Sequence, residues 1–207
     1  MVAGGLLLSP WVDLTSSQPS ILTKNNDFLE APNLKDGERY LFINELLVNV
    51  SDNLREEIVN VNGHFYTTEK YLKYPLVSPM YQNSFDGFPP IMVIVGDEER
   101  FEDECMIFAY KLKSNNKGTS NSQQVILHVY DEMIHLFQTF DSHPSCQKSF
   151  ELGSKFIADC LSDNINNNND DQFWACRIDT KLNLTPLDYD ITEYQISQTF
   201  SLKEEEA

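Results

Sequence analysis

The apolar residues of this chain fall into short unbroken runs, separated by stretches in which they recur at helical spacing. Gly5-Leu6-Leu7-Leu8 is one such run, stopped at Pro10. A run apolar on both faces and cut off by proline suits a buried parallel strand. Ile91-Met92-Val93-Ile94-Val95 is the clearest strand in the sequence and ends at Gly96, and Val125-Ile126-Leu127-His128-Val129-Tyr130 is a third. Between the last two, Phe101, Cys105, Phe108, Ala109 and Leu112 lie on one face of a predicted amphipathic helix. Its first turn is rich in carboxylates, which favour the positive end of the helix dipole. Beyond the third strand, Cys146, Phe150, Ile157, Cys160 and Leu161 predict the apolar face of a further helix. Residues 39–60 mix apolar and charged positions at helical spacing, which predicts a helix there as well. Residues 61–90 read as irregular, with Gly63, Pro75, Pro79, Gly87, Pro89 and Pro90.

Strand, helix, strand, helix with short connections predicts an α/β fold built from parallel βαβ units. The character changes from Asn164 onward. The reading therefore divides the chain into an α/β domain over residues 1–162, an Asn/Asp-rich linker over 163–171 and an acidic carboxyl-terminal extension over 172–207.

Length and composition narrow the function. The 207 residues are 41% hydrophobic, enough for one domain with a core. The formal net charge of −17 disfavours nucleic acid and anionic membrane as partners, because phosphates would be repelled. The four cysteines show no C-x-x-C spacing and read as buried free thiols. No His/Asp/Glu cluster has metal-ligand spacing, so neither a metal nor a cofactor is expected. Met1 to Leu8 lacks a basic flank and is too short for a span of about 20 residues.

Chemistry concentrates after two strands. In open parallel sheets functional groups gather beyond the carboxyl ends of strands. Glu99 lies four residues past Val95, and His135 five residues past Tyr130. Adjacent parallel strands would bring these loops together. A carboxylate that accepts from one imidazole nitrogen leaves the other to act as base. Glu99 and His135 are therefore the candidate catalytic residues, with Asp97, nearer the strand end, as the alternative acid. His64, His128 and His143 read as structural or exposed, and Asp13 as a loop cap more than a site residue. Trp11 and Phe137 fit either core packing or the border of an acyl pocket.

Four blocks then make a resemblance specific: Leu8-Ser9-Pro10-Trp11-Val12-Asp13-Leu14; Tyr74-Pro75-Leu76-Val77-Ser78-Pro79; Phe88-Pro89-Pro90 leading into Gly96-Asp97-Glu98-Glu99-Arg100-Phe101-Glu102-Asp103-Glu104; and Met133-Ile134-His135-Leu136-Phe137. In this order the chain resembles the carboxyl-terminal half of an α/β-hydrolase of the hormone-sensitive-lipase-like branch, which includes fungal steryl-acetyl hydrolases and carboxylesterases. The resemblance implies an ester hydrolase working through a serine acyl-enzyme. It places the triad acid four residues before Asp103, at Glu99, where Asp is commoner, and the histidine at His135. The family's Gly-x-Ser-x-Gly nucleophile elbow and His-Gly-Gly-Gly oxyanion motif do not occur in these 207 residues. Ser9 and Ser78, each followed by proline, read as structural and not as substitute nucleophiles.

The expectation is thus a fragment with the amino-terminal half of the sheet missing. Its substrate, once a full site is assembled, would be a small acyl ester or a lipid ester. Its partner would be the missing amino-terminal half, or another protein covering an exposed sheet edge. The alternative is a catalytically inactive remnant that binds a partner or ligand. The compartment is left open: the chain is soluble as given, with cytoplasmic residence or attachment to a membrane or the endoplasmic reticulum through upstream sequence both compatible.

Overall fold

The computed structural model describes residues 2–29, 67, 69–115, 124–162 and 174–187. Among them five strands form one sheet in the order β1-β2-β3-β4-β5: Gly5–Leu8, Ile91–Gly96, Val125–Tyr130, Ala175–Ile178 and Leu184–Pro186. The first four run parallel, and β5 returns antiparallel to β4. Three α-helices accompany them: the single turn α1 (Ser20–Thr23), α2 (Glu102–Asn115) and α3 (Pro144–Leu161). The α/β class with a mostly parallel sheet is as the sequence predicts. The predicted helix over 39–60, the linker over 163–171 and residues 188–207 of the extension lie outside the described residues.

Side-chain alternation along the strands builds two cores. Ile91, Val93, Val95, Val125, Leu127 and Val129 point to one face, where Phe101, Cys105, Phe108, Ala109 and Leu112 of the α2 segment cover them. Met92, Ile94, Tyr130 and Ile178 point to the other, under Phe156 and Cys160 of α3. Strands covered on both sides need apolar residues at every position, which is why β2 reads as an unbroken run.

Two expectations are corrected. The sheet does not stop at residue 162, because Ala175–Ile178 pairs with β3 in parallel from Leu127 to Tyr130. Trp174, just before β4, packs edge-on against Tyr110 of α2, with ring centroids 4.7 Å apart. Part of the expected extension therefore belongs to the domain. The apolar face predicted for α3 is also rotated. Phe150, Ile157 and Leu161 are exposed, whereas Cys146, Ser149, Gly153, Phe156 and Cys160 are buried. The helix lies so close to the sheet that small residues face it: a Cβ on Gly153 would meet Leu6 at 3.0 Å.

Candidate active site

The carboxyl ends of β1, β2 and β3 converge on one polar cluster. The register pairs Val95 with Val129 and Gly96 with Tyr130, so the loops that follow leave the sheet side by side. Gly96 sets their spacing. A Cβ there would lie 2.1 Å from the Met133 carbonyl oxygen, so only glycine allows the acid loop and the histidine loop to approach this closely. The Glu98 N–H then donates to that same carbonyl at 3.0 Å.

Glu99 and His135 are brought together. Glu99 Oε2 lies 2.9 Å from His135 Nδ1. With the carboxylate accepting, Nδ1 carries the ring proton and Nε2 holds the basic lone pair. The other oxygen, Oε1, accepts from the Gly96 N–H at 2.7 Å and the Ser9 hydroxyl at 3.1 Å. Glu99 is fully buried. Burial pushes its carboxyl above the usual range, opposed by the His135 hydrogen bond and charge and by the bonds from Gly96 and Ser9. The His135 ring is bounded by Phe101, edge-on at 5.1 Å, and by Phe28, tilted at 5.8 Å. Trp11 stacks on Phe101 from behind. Phe28 itself is 58% exposed, so an aromatic surface lies open beside the histidine.

Asp97, the alternative acid, is engaged elsewhere. Its Oδ1 accepts from the Glu132 N–H at 2.6 Å and its Oδ2 from Arg177 Nη2 at 2.5 Å. The Arg177 Nε faces Asp131 in a second ion pair. Arg177 therefore ties β4 to the loops after both β2 and β3.

The remaining carboxylates of the acidic run are anchors. Glu104 Oε1 accepts from the Val12 and Asp13 N–H groups at 2.7 and 3.1 Å, and Asp103 Oδ2 from the Ser20 N–H at 2.7 Å. These bonds fasten the loop after β1 to the first turn of α2. Burial raises Glu104 well above the ordinary carboxylate range, and the Asp13 charge adds to the rise. Burial also lifts Glu102 to about 7, against the pull of Lys24, whose ammonium lies 2.6 Å away.

The other candidates take structural roles. Asp13 is buried and receives four bonds from Thr15 and Ser17, as a loop cap does. His128 is buried in β3 and pushed down to about 4 by desolvation. His143 caps α3, its Nδ1 accepting from the Ser145 N–H. Ser78 donates to the Leu72 carbonyl and accepts from the Leu14 N–H. Phe137 is buried against Tyr130. The four cysteines are buried thiols outside any disulfide. His64 lies outside the described residues. Among the described residues no group of three or more His, Cys, Asp or Glu side chains is placed to hold a metal, and no helix is long and apolar enough to cross a membrane.

Sequence reasoning missed three contributors. Ser9 stands in the Leu-Ser-Pro block, yet its bond to Glu99 has no sequence signature. Asp27 accepts from the Arg100 N–H at 2.8 Å and the His135 N–H at 3.3 Å, and comes from a polar stretch without periodicity. Arg177 interrupts a short apolar run and carries no motif of its own.

Comparison with known proteins bears on the fold. The family model described as alpha/beta hydrolase fold matches residues 1–139, and the chain belongs to that family. A search of the curated proteins finds no match. Among solved structures the chain is similar to an esterase/lipase from an uncultured bacterium, at 19% identity and a TM-score of 0.50, covering 78% of this chain and 44% of that one. It is also similar to EstE5 soaked with ethyl alcohol, at 23% identity and a TM-score of 0.53, covering 78% and 45%. An EstE5-PMSF structure matches at 21% identity and a TM-score of 0.51, covering 78% and 44%. The chain thus spans less than half the length of these solved enzymes.

Proposed function

We propose that this chain carries the acid and the base of a serine carboxylic-ester hydrolase of the hormone-sensitive-lipase-like branch, and that the nucleophile comes from sequence outside these 207 residues. The observation that supports the reading is the buried Glu99–His135 pair, 2.9 Å apart beyond adjacent parallel strands. In the proposed reaction a serine hydroxyl attacks the ester carbonyl while His135 Nε2 takes its proton. His135 then returns the proton to the departing alcohol, leaving an acyl-enzyme that water cleaves by the same route. Glu99 holds the imidazole in the required tautomer and stabilises the imidazolium. The open aromatic surface of Phe28 suits small or medium acyl esters, including lipid esters. A fluorophosphonate probe, which labels activated serines, tests the proposal. The isolated chain should remain unlabelled. Attached to an upstream segment bearing Gly-x-Ser-x-Gly, it should support labelling that His135→Ala abolishes. Labelling of the isolated chain would refute the external nucleophile.

A second reading, of an inactive chain that binds a partner, is favoured by β1. Among the described residues this strand ends the parallel sheet, and all four of its residues are only half-buried. An apolar strand edge without a neighbour is a template for pairing. The two readings share a requirement for a cover on β1. They separate on whether the cover supplies a serine.

A further inference from the structure

Ser9 stands at the end of β1, where three strand ends meet, and it is 4% exposed. Its hydroxyl has one proton and two neighbours. The Leu136 N–H donates to Oγ at 3.2 Å, which leaves the hydroxyl proton for Glu99 Oε1 at 3.1 Å. The polarity of the bridge is thereby fixed, running from the residue after His135, through Ser9, to the carboxylate that faces His135. Its proton is committed to a carboxylate and not to an imidazole, so Ser9 is not poised as a nucleophile.

The backbone carries a cost at both ends of this bridge. Ser9 has φ 45° and Leu136 has φ 50°, the left-handed region that side chains larger than glycine rarely adopt. Such strain persists only where surrounding structure over-determines it, and it clusters at working sites. Here the Ser9 N–H is held by the Ile94 carbonyl at 2.8 Å, on the strand that leads to Glu99.

We propose that Ser9 is a positioning residue, whose hydroxyl locks the Glu99 carboxylate and the His135 turn into one rigid unit. With Gly96 it occupies Oε1, so that Oε2 alone is presented to Nδ1. A glutamate has one more rotatable bond than an aspartate, and the Ser9 bridge removes that freedom. The inference rests on the reading of Glu99 and His135 as the working pair.

Two substitutions separate the hydroxyl from the backbone. Ser9→Gly removes the hydroxyl but tolerates φ 45°. Ser9→Thr keeps a hydroxyl, while its branched Cβ resists that conformation. The readout is the acid titration of Glu99, followed by the ¹³C resonance of its carboxyl, alongside the melting temperature. The titratable groups that bear on Glu99 are His135 from the loop after β3, and Glu104 and Cys105 from α2. All are retained in both variants. Losing a donor to the charged form should raise the Glu99 midpoint by about one to two pH units in Ser9→Gly, whichever way its melting temperature moves. Ser9→Thr should melt lower yet titrate as wild type. A wild-type midpoint in Ser9→Gly, or a midpoint that follows melting temperature and not the hydroxyl, overturns the proposal. The underlying pair has its own test: the downfield Nδ1 proton of His135 should vanish in Glu99→Gln. Its persistence would sink the working pair whatever Ser9 does.

Discussion

The carboxyl edge of the sheet and its β1 flank are built on opposite principles. At the carboxyl edge, charged groups are buried and wired to one another. Glu99 and Asp97 accept bonds from the loop after β3, Asp103 and Glu104 from the segment after β1, and Arg177 joins the loops after β2 and β3. On the β1 flank, apolar groups are left partly uncovered: Leu6 and Leu8 are half-buried, and Phe150, Ile157 and Leu161 of the overlying α3 are exposed. The far margin of the same sheet sharpens the contrast. There β5 is three residues long, exposed and closed by Pro186, the form natural edges take to avoid pairing. Among the described residues the carboxylates of the site are held by bonds from neighbouring loops, whereas β1 is left partly uncovered. Under the function proposed above, β1 would be the side on which a second body docks.

The largest expected effect probes the wired edge through pH. Glu102, lifted to about 7, holds a proton in the folded chain that the unfolded chain has released above about 4.5. Its contribution to stability is therefore full below pH 4.5 and is lost as pH rises through 7, a change of up to about 3 kcal/mol. Glu99 and Glu104, also raised by burial, act in the same direction. Urea unfolding at pH 4.5 and pH 7.5 should show the decline, and Glu102→Gln should flatten it. A slope unchanged by Glu102→Gln would show that this carboxylate is not protonated in the folded chain.

Next in size is the clamp. Arg177→Ala leaves Asp97 and Asp131 without their cation and should cost about 1–3 kcal/mol in urea unfolding. Asp97→Asn should cost less on the Arg177→Ala background than on wild type, because the two act as one unit. Full additivity would mean that Arg177 does not brace the site loops through Asp97. The smallest change in stability belongs to the apolar flank. Phe150→Lys with Leu161→Glu should alter stability by no more than about 0.5 kcal/mol per site, since both residues are exposed. It should nonetheless reduce concentration-dependent association in sedimentation velocity. Leu184→Lys, on the blunted β5 margin, should leave association unchanged. A wild-type chain that stays monomeric across the concentration range would erase the contrast between the two margins.

What the sequence made legible follows the physics of each element. Unbroken apolar runs fixed β1, β2 and β3, because strands covered on both faces admit little else. The 101–112 periodicity located α2, all five of its marker residues being buried. The pairing of Glu99 with His135 was readable because parallel neighbours carry their following loops to one edge. The α3 face was misread because apolarity stood in for proximity. The helix approaches the sheet through Ser149 and Gly153, leaving no room for Phe150 or Ile157 on that side. Strand β4 was missed because Ala-Cys-Arg-Ile is short and broken by a charge whose partners, Asp97 and Asp131, are distant in sequence. Ser9 and Asp27 were hidden for the same reason: each acts through bonds to residues 73 to 127 positions away.

The most direct test of the account is ester turnover, measured side by side for the 207-residue chain and for the same chain preceded by its own 5′ coding sequence through any Gly-x-Ser-x-Gly segment. The account predicts no turnover of a short-chain p-nitrophenyl ester by the chain alone. It predicts turnover by the extended protein that falls at least about a thousandfold in His135→Ala. Hydrolysis by the isolated chain, or by an extended protein indifferent to His135, would contradict it.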